Sequence, residues 1–275
     1  MMERHVLGIS GGRDSAALAV LMRQTRPDLS LEYFFTDTGK ELPEVYDFLG
    51  RLEGFLGAPI QRLNPDRDFD FWLREYNNFL PSPRTRWCTR QLKLRPFERW
   101  IRPDLEAGAT IYSYVAIRSD EPHREGLTAT HPNLHVVLPL RERGIDKKSV
   151  IDLLEAAGVG LPNYYRWRSR SGCTFCFFQQ KIEWVNLMRE HPEAFEEAKR
   201  YEKTALEHGS PFTWSDRESL DELAEPARVE QIEREHQARL DRIKARRRPN
   251  ALRPGDDVDE VLFEDDTAGC LICHK

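Results

Sequence analysis

The stretch "HVLGISGGRDSAALAVLM", residues 5–22, constrains this chain most. An apolar, β-prone run reaches Ser10-Gly11-Gly12-Arg13-Asp14-Ser15 and passes without a linker into a helix-forming segment. Strand and helix patterns then alternate over the first ~155 residues, and short β-rich runs separated by helices require parallel strands covered on both faces. Strands are expected over 5–10, 31–36, 59–63, 110–117 and 135–139. Helices are expected over 15–24, 42–56, 69–79, 92–101 and 148–157, the last stopped by Gly158 and Gly160. A second helical pattern runs over 179–206, bent near His191-Pro192, and a third, rich in Arg, over 226–248.

The chain divides into an α/β unit over 1–160, a cysteine-containing, basic and helical region over 161–250, and an acidic tail over 251–275, expected to be mobile. No apolar run approaches the ~20 residues that span a bilayer. Residues 1–5 lack the basic-then-apolar layout of a signal peptide, so a cytoplasmic protein without a membrane partner is expected. The formal charge of −5 is unevenly spread and says little globally.

A strand, a glycine loop and a helix N-terminus together make an anion site. Glycines let backbone N–H groups approach oxygens, and the helix end adds partial positive charge. Ser10 and Ser15 add hydroxyls. The spacing is neither Gly-x-Gly-x-x-Gly nor the P-loop pattern, and a plain strand-to-helix turn is the competing reading.

Residues 10–15 resemble the SGGxDS pyrophosphate loop of the ATP pyrophosphatases, a loop that also marks the wider family containing the phosphoadenosine phosphosulfate (PAPS) reductases. Three further segments resemble that family in its own order: "FFTDTGKELPEVYDF" with Asp37, "WCTRQLKLRPF" with Cys88 and Lys93, and "YVAIRSDEPHR" with Arg118, Asp120, Glu121 and Arg124. The resemblance covers roughly residues 5–185. It implies an α/β, Rossmann-like three-layer sandwich of the adenine nucleotide alpha hydrolase type, with a parallel sheet followed by a helical C-terminal region. It also implies that ATP is held by Ser10, Gly11, Gly12, Arg13, Asp14, Ser15, Asp37, Arg118 and Arg124, with Asp14, Asp37, Lys93 and Arg118 in catalytic roles. Asp14 or Asp37 would hold Mg²⁺ through water, an ion that keeps few carboxylates and several waters. Arg13, Lys93, Arg118 and Arg124 would neutralise charge on leaving pyrophosphate. The competing reading for any single arginine is a solvated salt bridge.

Four of the five cysteines form two Cys-x-x-Cys pairs. Cys173 and Cys176 precede a helix pattern, and such a turn brings two thiolates within reach of one metal. With Cys88 they resemble the sulfur-inserting relatives, which implies a [4Fe–4S] cluster on Cys88, Cys173 and Cys176. Zn²⁺ and plain buried thiols are the alternatives. Cys270 and Cys273, beside His274, are open to three readings: a completed metal shell through Cys273, a persulfide or redox pair, or a dispensable end. Their context departs from the Glu-Cys-Gly-x-His motif of PAPS reductases.

Arg166, Arg168 and Arg170 alternate beside Tyr164, Tyr165 and Trp167, and residues 246–248 are all Arg. Basic residues interleaved with aromatics suit a nucleic-acid backbone or an acidic partner face. A bare fold of this kind with these cysteines is similar to the DndC and SspD proteins of DNA phosphorothioation systems. That similarity implies DNA as acceptor, a cysteine desulfurase as sulfur donor and other modification-system subunits as partners. The alternatives are a thionucleotide reductase served by thioredoxin, a tRNA thiolation enzyme, and a non-catalytic nucleic-acid-binding subunit.

Overall fold

Period-two alternation decides the sheet. In β1 (Glu3–Gly8) Leu7 enters one apolar layer and Val6 the opposite one. In β2 (Leu31–Phe35) Tyr33 and Phe35 join Leu7, whereas Phe34 joins Val6. The short β3 (Ile60–Arg62) flanks β2, and β4 (Thr110–Tyr114) repeats the pattern, with Tyr114 in the first layer and Ile111 in the second. With β5 (Leu134–Val137) these form a parallel five-stranded sheet in the order β3-β2-β1-β4-β5. This is a computed structural model, and it describes residues 2–64, 66–124, 126, 131–210, 212–215 and 217–247.

The first layer is covered by α1 (Arg13–Thr25) and α2 (Pro43–Leu56). Residues 16–22 of α1 are buried on every side, which its three alanines allow by keeping the helix thin. Next come α3 (Phe69–Glu75), the single turn α4 (Trp87–Thr89), a π-helical turn Arg90–Leu94, and α5 (Arg95–Glu106). Phe97 and Ile101 of α5 cover the opposite face through Val6, Phe34, Ile111 and Leu134. Helix α6 (Pro139–Glu142) is short, and α7 (Lys147–Ala156) packs beside α1. Helices on both faces of a parallel sheet make the three-layer α/β, Rossmann-like sandwich expected.

The helical C-terminal region contains α8 (Lys181–Glu190), α9 (Pro192–Glu207), the short α10 (Leu220–Leu223) and α11 (Pro226–Arg247). The 179–206 pattern breaks at His191 and Pro192, where the pattern bends. His191 Nε2 lies 2.8 Å from Glu44 Oε1, which ties that break to α2. Trp184, Phe195, Trp214 and Ile232 share one apolar cluster with Leu7 and Leu18. The C-terminal region is therefore continuous with the core of the sheet.

Two elements are shorter than their patterns. The helix expected over 69–79 ends at Glu75 because Asn77 and Asn78 take left-handed backbone angles (φ 54° and 58°). The strand expected over 110–117 ends at Tyr114, since past Val137 the neighbouring chain turns at Pro139 into α6 and leaves no partner. No described helix is long and apolar enough to cross a membrane. Arg248 and the whole 251–275 tail, with Cys270 and Cys273, lie outside the described residues.

Candidate active site

In open parallel sheets ligands bind beyond the carboxyl ends of the strands, where the strand order reverses. Here that crevice lies between the ends of β1 and β4. Residues 10–15 span it from β1 to α1, and Arg118 follows β4.

The loop is cross-braced by its own hydroxyls. Ser15 Oγ accepts from Ser10 N at 3.0 Å and donates to Gly12 O at 3.1 Å. Its proton is thus committed, so in the 3.0 Å contact between the two hydroxyls Ser10 is the donor. Ser10 Oγ also accepts from Gly12 N at 3.3 Å. Gly11 holds φ +75°, and a Cβ there would stand 2.6 Å from Val45 Cγ1. A Cβ on Gly12 would stand 2.8 Å from Ser171 Oγ. The first glycine is required by helix α2, the second by the segment that crosses the loop. The Gly11 N–H has no partner among the described residues, as an anion-binding donor needs.

The aromatic and basic segment read as a nucleic-acid patch is what crosses it. Tyr164 OH donates to Gly11 O at 2.7 Å, and Arg13 N donates to Tyr165 OH at 3.2 Å. The Arg13 guanidinium lies over the Tyr165 ring at 4.9 Å. Arg168 is fully buried and donates to the carbonyls of Gly172 and Cys173 at 3.1 and 2.7 Å. Arg170, also buried, donates to Phe178 O at 3.0 Å. These two arginines hold a turn together and are not available to phosphates, which corrects that expectation. Arg166 is exposed. The Arg-x-Arg-x-Arg alternation is broken by a 3₁₀ turn, Asn163–Arg166, after which the chain turns inward.

Asp14 and Arg118 form a buried ion pair, Nη1 standing 3.1 Å from both carboxylate oxygens. Arg118 also donates from Nε to Asp120 at 2.8 Å, and Arg124 donates to Glu121 at 2.7 Å. Burial opposes the Arg118 charge, but Asp14, Asp120 and Glu121 outweigh it and raise the guanidinium pKa. Asp37 Oδ1 accepts from Gly39 N at 2.9 Å and from Tyr46 OH at 2.8 Å. Lys93 sits in the π turn, and its charge acts on Cys173. Such turns displace side chains from helical register and recur at functional sites.

Cys173 stands against the segment that follows β2. Its thiol lies 3.3 Å from Thr38 Oγ1 and 3.7 Å from Glu41 Oε1, and its backbone pairs with Glu41. Packing, then the Glu41 carboxylate, raise its pKa well above the ordinary thiol value. Glu41 was not evident in the sequence, where "TGKELP" reads as a loop. Among the described residues no three His, Cys, Asp or Glu side chains stand close enough to hold a metal ion. Cys88, Cys173 and Cys176 form no disulfide, and Cys273 lies outside the described residues. Asp14 and Asp37 sit in separate networks. Removing the Glu41 charge favours the thiolate, so Glu41→Gln should lower the Cys173 pKa. Alkylation at Cys173, followed against pH by mass spectrometry, should then speed up at any pH below that pKa.

Residues 4–129 match the phosphoadenosine phosphosulfate reductase domain, the stretch that carries the loop, Asp37, Lys93, Arg118 and Arg124. The match ends before Tyr164, so the residues that clamp the loop lie outside it. An uncharacterised protein of Methanocaldococcus jannaschii is 26% identical over 196 residues, 70% of this chain and 40% of that protein. An uncharacterised nin region protein of Escherichia phage lambda is 30% identical over 145 residues, 44% of this chain and 50% of that protein. The chain thus spans half or less of the length of these curated relatives. Among solved structures, it is similar to a PAPS reductase from Candida auris in a phosphate complex (13% identity, 62% of this chain and 81% of that one, TM-score 0.49). It is also similar to the U34-tRNA thiolase NcsA from Methanococcus maripaludis with its [4Fe-4S] cluster (16% identity, 82% and 80%, TM-score 0.41).

Proposed function

We propose that the chain is an adenylating ATP pyrophosphatase of a sulfur-insertion system, and that its acceptor is a phosphate oxygen of the DNA backbone. The observation that carries the reading is the intact Ser10–Ser15 loop, cross-braced at the strand-order reversal with the Gly11 N–H open to an anion. In the reaction an acceptor oxygen attacks the α-phosphorus of ATP, the O–Pα bond forms, and the bond to the β-phosphate breaks to release pyrophosphate. A persulfide delivered by a cysteine desulfurase then attacks the activated acceptor phosphorus through its terminal sulfur and displaces AMP, and a second thiol cleaves the resulting S–S bond as a disulfide to leave the phosphorothioate, in concert with other subunits of the system. The loop holds the phosphates. Half-buried Lys93, and half-buried Arg124 with its Glu121 partner, offset charge on the leaving group. Arg118 is committed to Asp14, so it acts on ATP only by exchanging that carboxylate for a phosphate.

Pyrophosphate release from ATP should be detectable and should rise when DNA is added. Ser10→Ala removes the acceptor of Gly12 N and the donor to Ser15, and should lower release at least tenfold with a near-native melting temperature. Unchanged release in Ser10→Ala would remove the ATP reading.

The family match favours a second reading, reductive cleavage of a thionucleotide. Sulfite release from PAPS with reduced thioredoxin, and no pyrophosphate release from ATP, would establish it instead.

A further inference from the structure

The segment over 62–102 carries ten Lys and Arg residues against five Asp and Glu, in a chain whose formal charge is −5. Three of those five acids are already engaged. Asp70 pairs with Lys40 at 3.4 Å and with Tyr201, Asp68 accepts from Phe71 N at the start of α3, and Asp66 pairs with Arg99. A run of charge is ordinarily a solvated face, so its arrangement decides whether it does more.

Arg95, Arg99 and Arg102 of α5 are exposed and spaced i, i+4 and i+7, so they form one line down the outer side of that helix. The π turn extends the line. Arg95 N donates to Arg90 O across five residues, which stacks exposed Arg90 about one turn above Arg95. Ordinary α-helical spacing would have carried Arg90 well round the helix. On the other side of α5, Phe97 and Ile101 are buried against the sheet. Asp104, near the end of α5, pairs with Arg4 near the start of β1. The helix therefore begins at the carboxyl end of the sheet, the end that carries the glycine loop.

Two rings steady this surface. The Arg95 guanidinium lies over Trp72 at 5.6 Å, and that of Arg67 over Phe71 at 4.9 Å, which joins α3 to the line. Among the described residues Arg67, Arg90, Arg95 and Arg102 have no carboxylate partner, so their charge faces solvent.

We infer that this line of arginines binds the backbone of duplex DNA, with the candidate site at one end of the contact. Protein–protein interfaces have an apolar core from which charge is depleted. The exposed large apolar residues, Met2, Phe79 and Leu206, all lie outside the π turn and α5. Protein–DNA interfaces are polar and strongly positive, and guanidinium forks match phosphate oxygens. A single strand needs rings beneath its bases, whereas Phe71 and Trp72 are spent on guanidiniums. The inference rests on the reading of the acceptor as DNA, and it moves the contact from the buried Arg168 and Arg170 to Arg90, Arg95, Arg99 and Arg102.

Its test is fluorescence anisotropy of the full chain with a short labelled DNA duplex, without ATP, over a range of salt. Arg95→Gln combined with Arg102→Gln should reduce the log–log salt slope by about 1.8, two lost phosphate contacts at ~0.9 each. Lys at both positions keeps the charge and should keep the slope. Arg26→Gln, past the C-terminal end of α1 and at the opposite end of the sheet, should leave the slope unchanged. All three arginines are exposed, and melting temperatures check that the variants fold. An unchanged slope in the double Gln variant overturns the inference, as does an equal loss in Arg26→Gln. Labelled oligoglutamate bound as tightly as the duplex also overturns it, in favour of an acidic protein partner. Pyrophosphate release from ATP is assayed separately on the wild type. A reduced slope without release supports the surface and removes the ATP reading, whereas an unchanged slope with release removes the surface alone.

Discussion

Arg118→Met should destabilise the fold by about 3–5 kcal/mol, the cost of breaking a buried pair by removing one partner, with Arg13 Nε at 3.9 Å the cation that stays beside Asp14. Asp14 is 2% exposed and its carboxylate is met by Arg118 Nη1 at 3.1 Å from both oxygens, so water cannot replace the lost guanidinium. Urea denaturation should show a lower midpoint with the slope unchanged. Adding Asp14→Leu should restore much of the loss, since removing both charges of a buried pair is often close to neutral. Pyrophosphate release should be lost in both variants. A single variant as stable as the wild type would mean that Asp14 is reached by water or protonated in the fold.

Gly11→Ala should cost about 2–5 kcal/mol, combining left-handed backbone strain of ~1–2 kcal/mol with overpacking of ~1–3 kcal/mol. The new Cβ would stand 2.6 Å from Val45 Cγ1, a branched side chain at full burial with nowhere to turn. In a Val45→Ala background the overpacking disappears, and the same glycine change should cost only the backbone share. Thermal melts of the four proteins give the coupling directly. Equal costs in the two backgrounds would show that the loop moves away from α2 instead of pressing on it.

The sheet and its glycine loop were legible because both rest on local signals. Alternation over Tyr33, Phe34 and Phe35 assigns strand faces, and glycines at 11 and 12 announce a close backbone approach. The loop's supports were not legible, because they depend on which distant segment lands upon it. Tyr164, Tyr165, Arg168 and Arg170 have the composition of a polynucleotide-binding face, and only the inward turn after Arg166 shows their polar tips spent on backbone groups. Glu41 was missed for the same reason: its chemistry comes from Cys173, 132 positions away. The spacing of Cys88, Cys173 and Cys176 suits a shared metal, and what it could not show is the Glu41 carboxylate 3.7 Å from the Cys173 thiol.

The clamp on the loop has a consequence for the order in which the protein matures on the ribosome. Tyr164 and Tyr165 lie 153 and 152 positions beyond the loop groups they hold. At translation speeds of ~5–20 residues per second, roughly 8–30 s separate synthesis of the glycine loop from synthesis of its clamp. During that interval the nascent chain carries the phosphate-binding segment without the hydroxyls that fix its shape. Nucleotide affinity should therefore switch on late in synthesis, and ribosome-bound chains stalled before residue 164 should bind ATP far more weakly than chains stalled near the terminus.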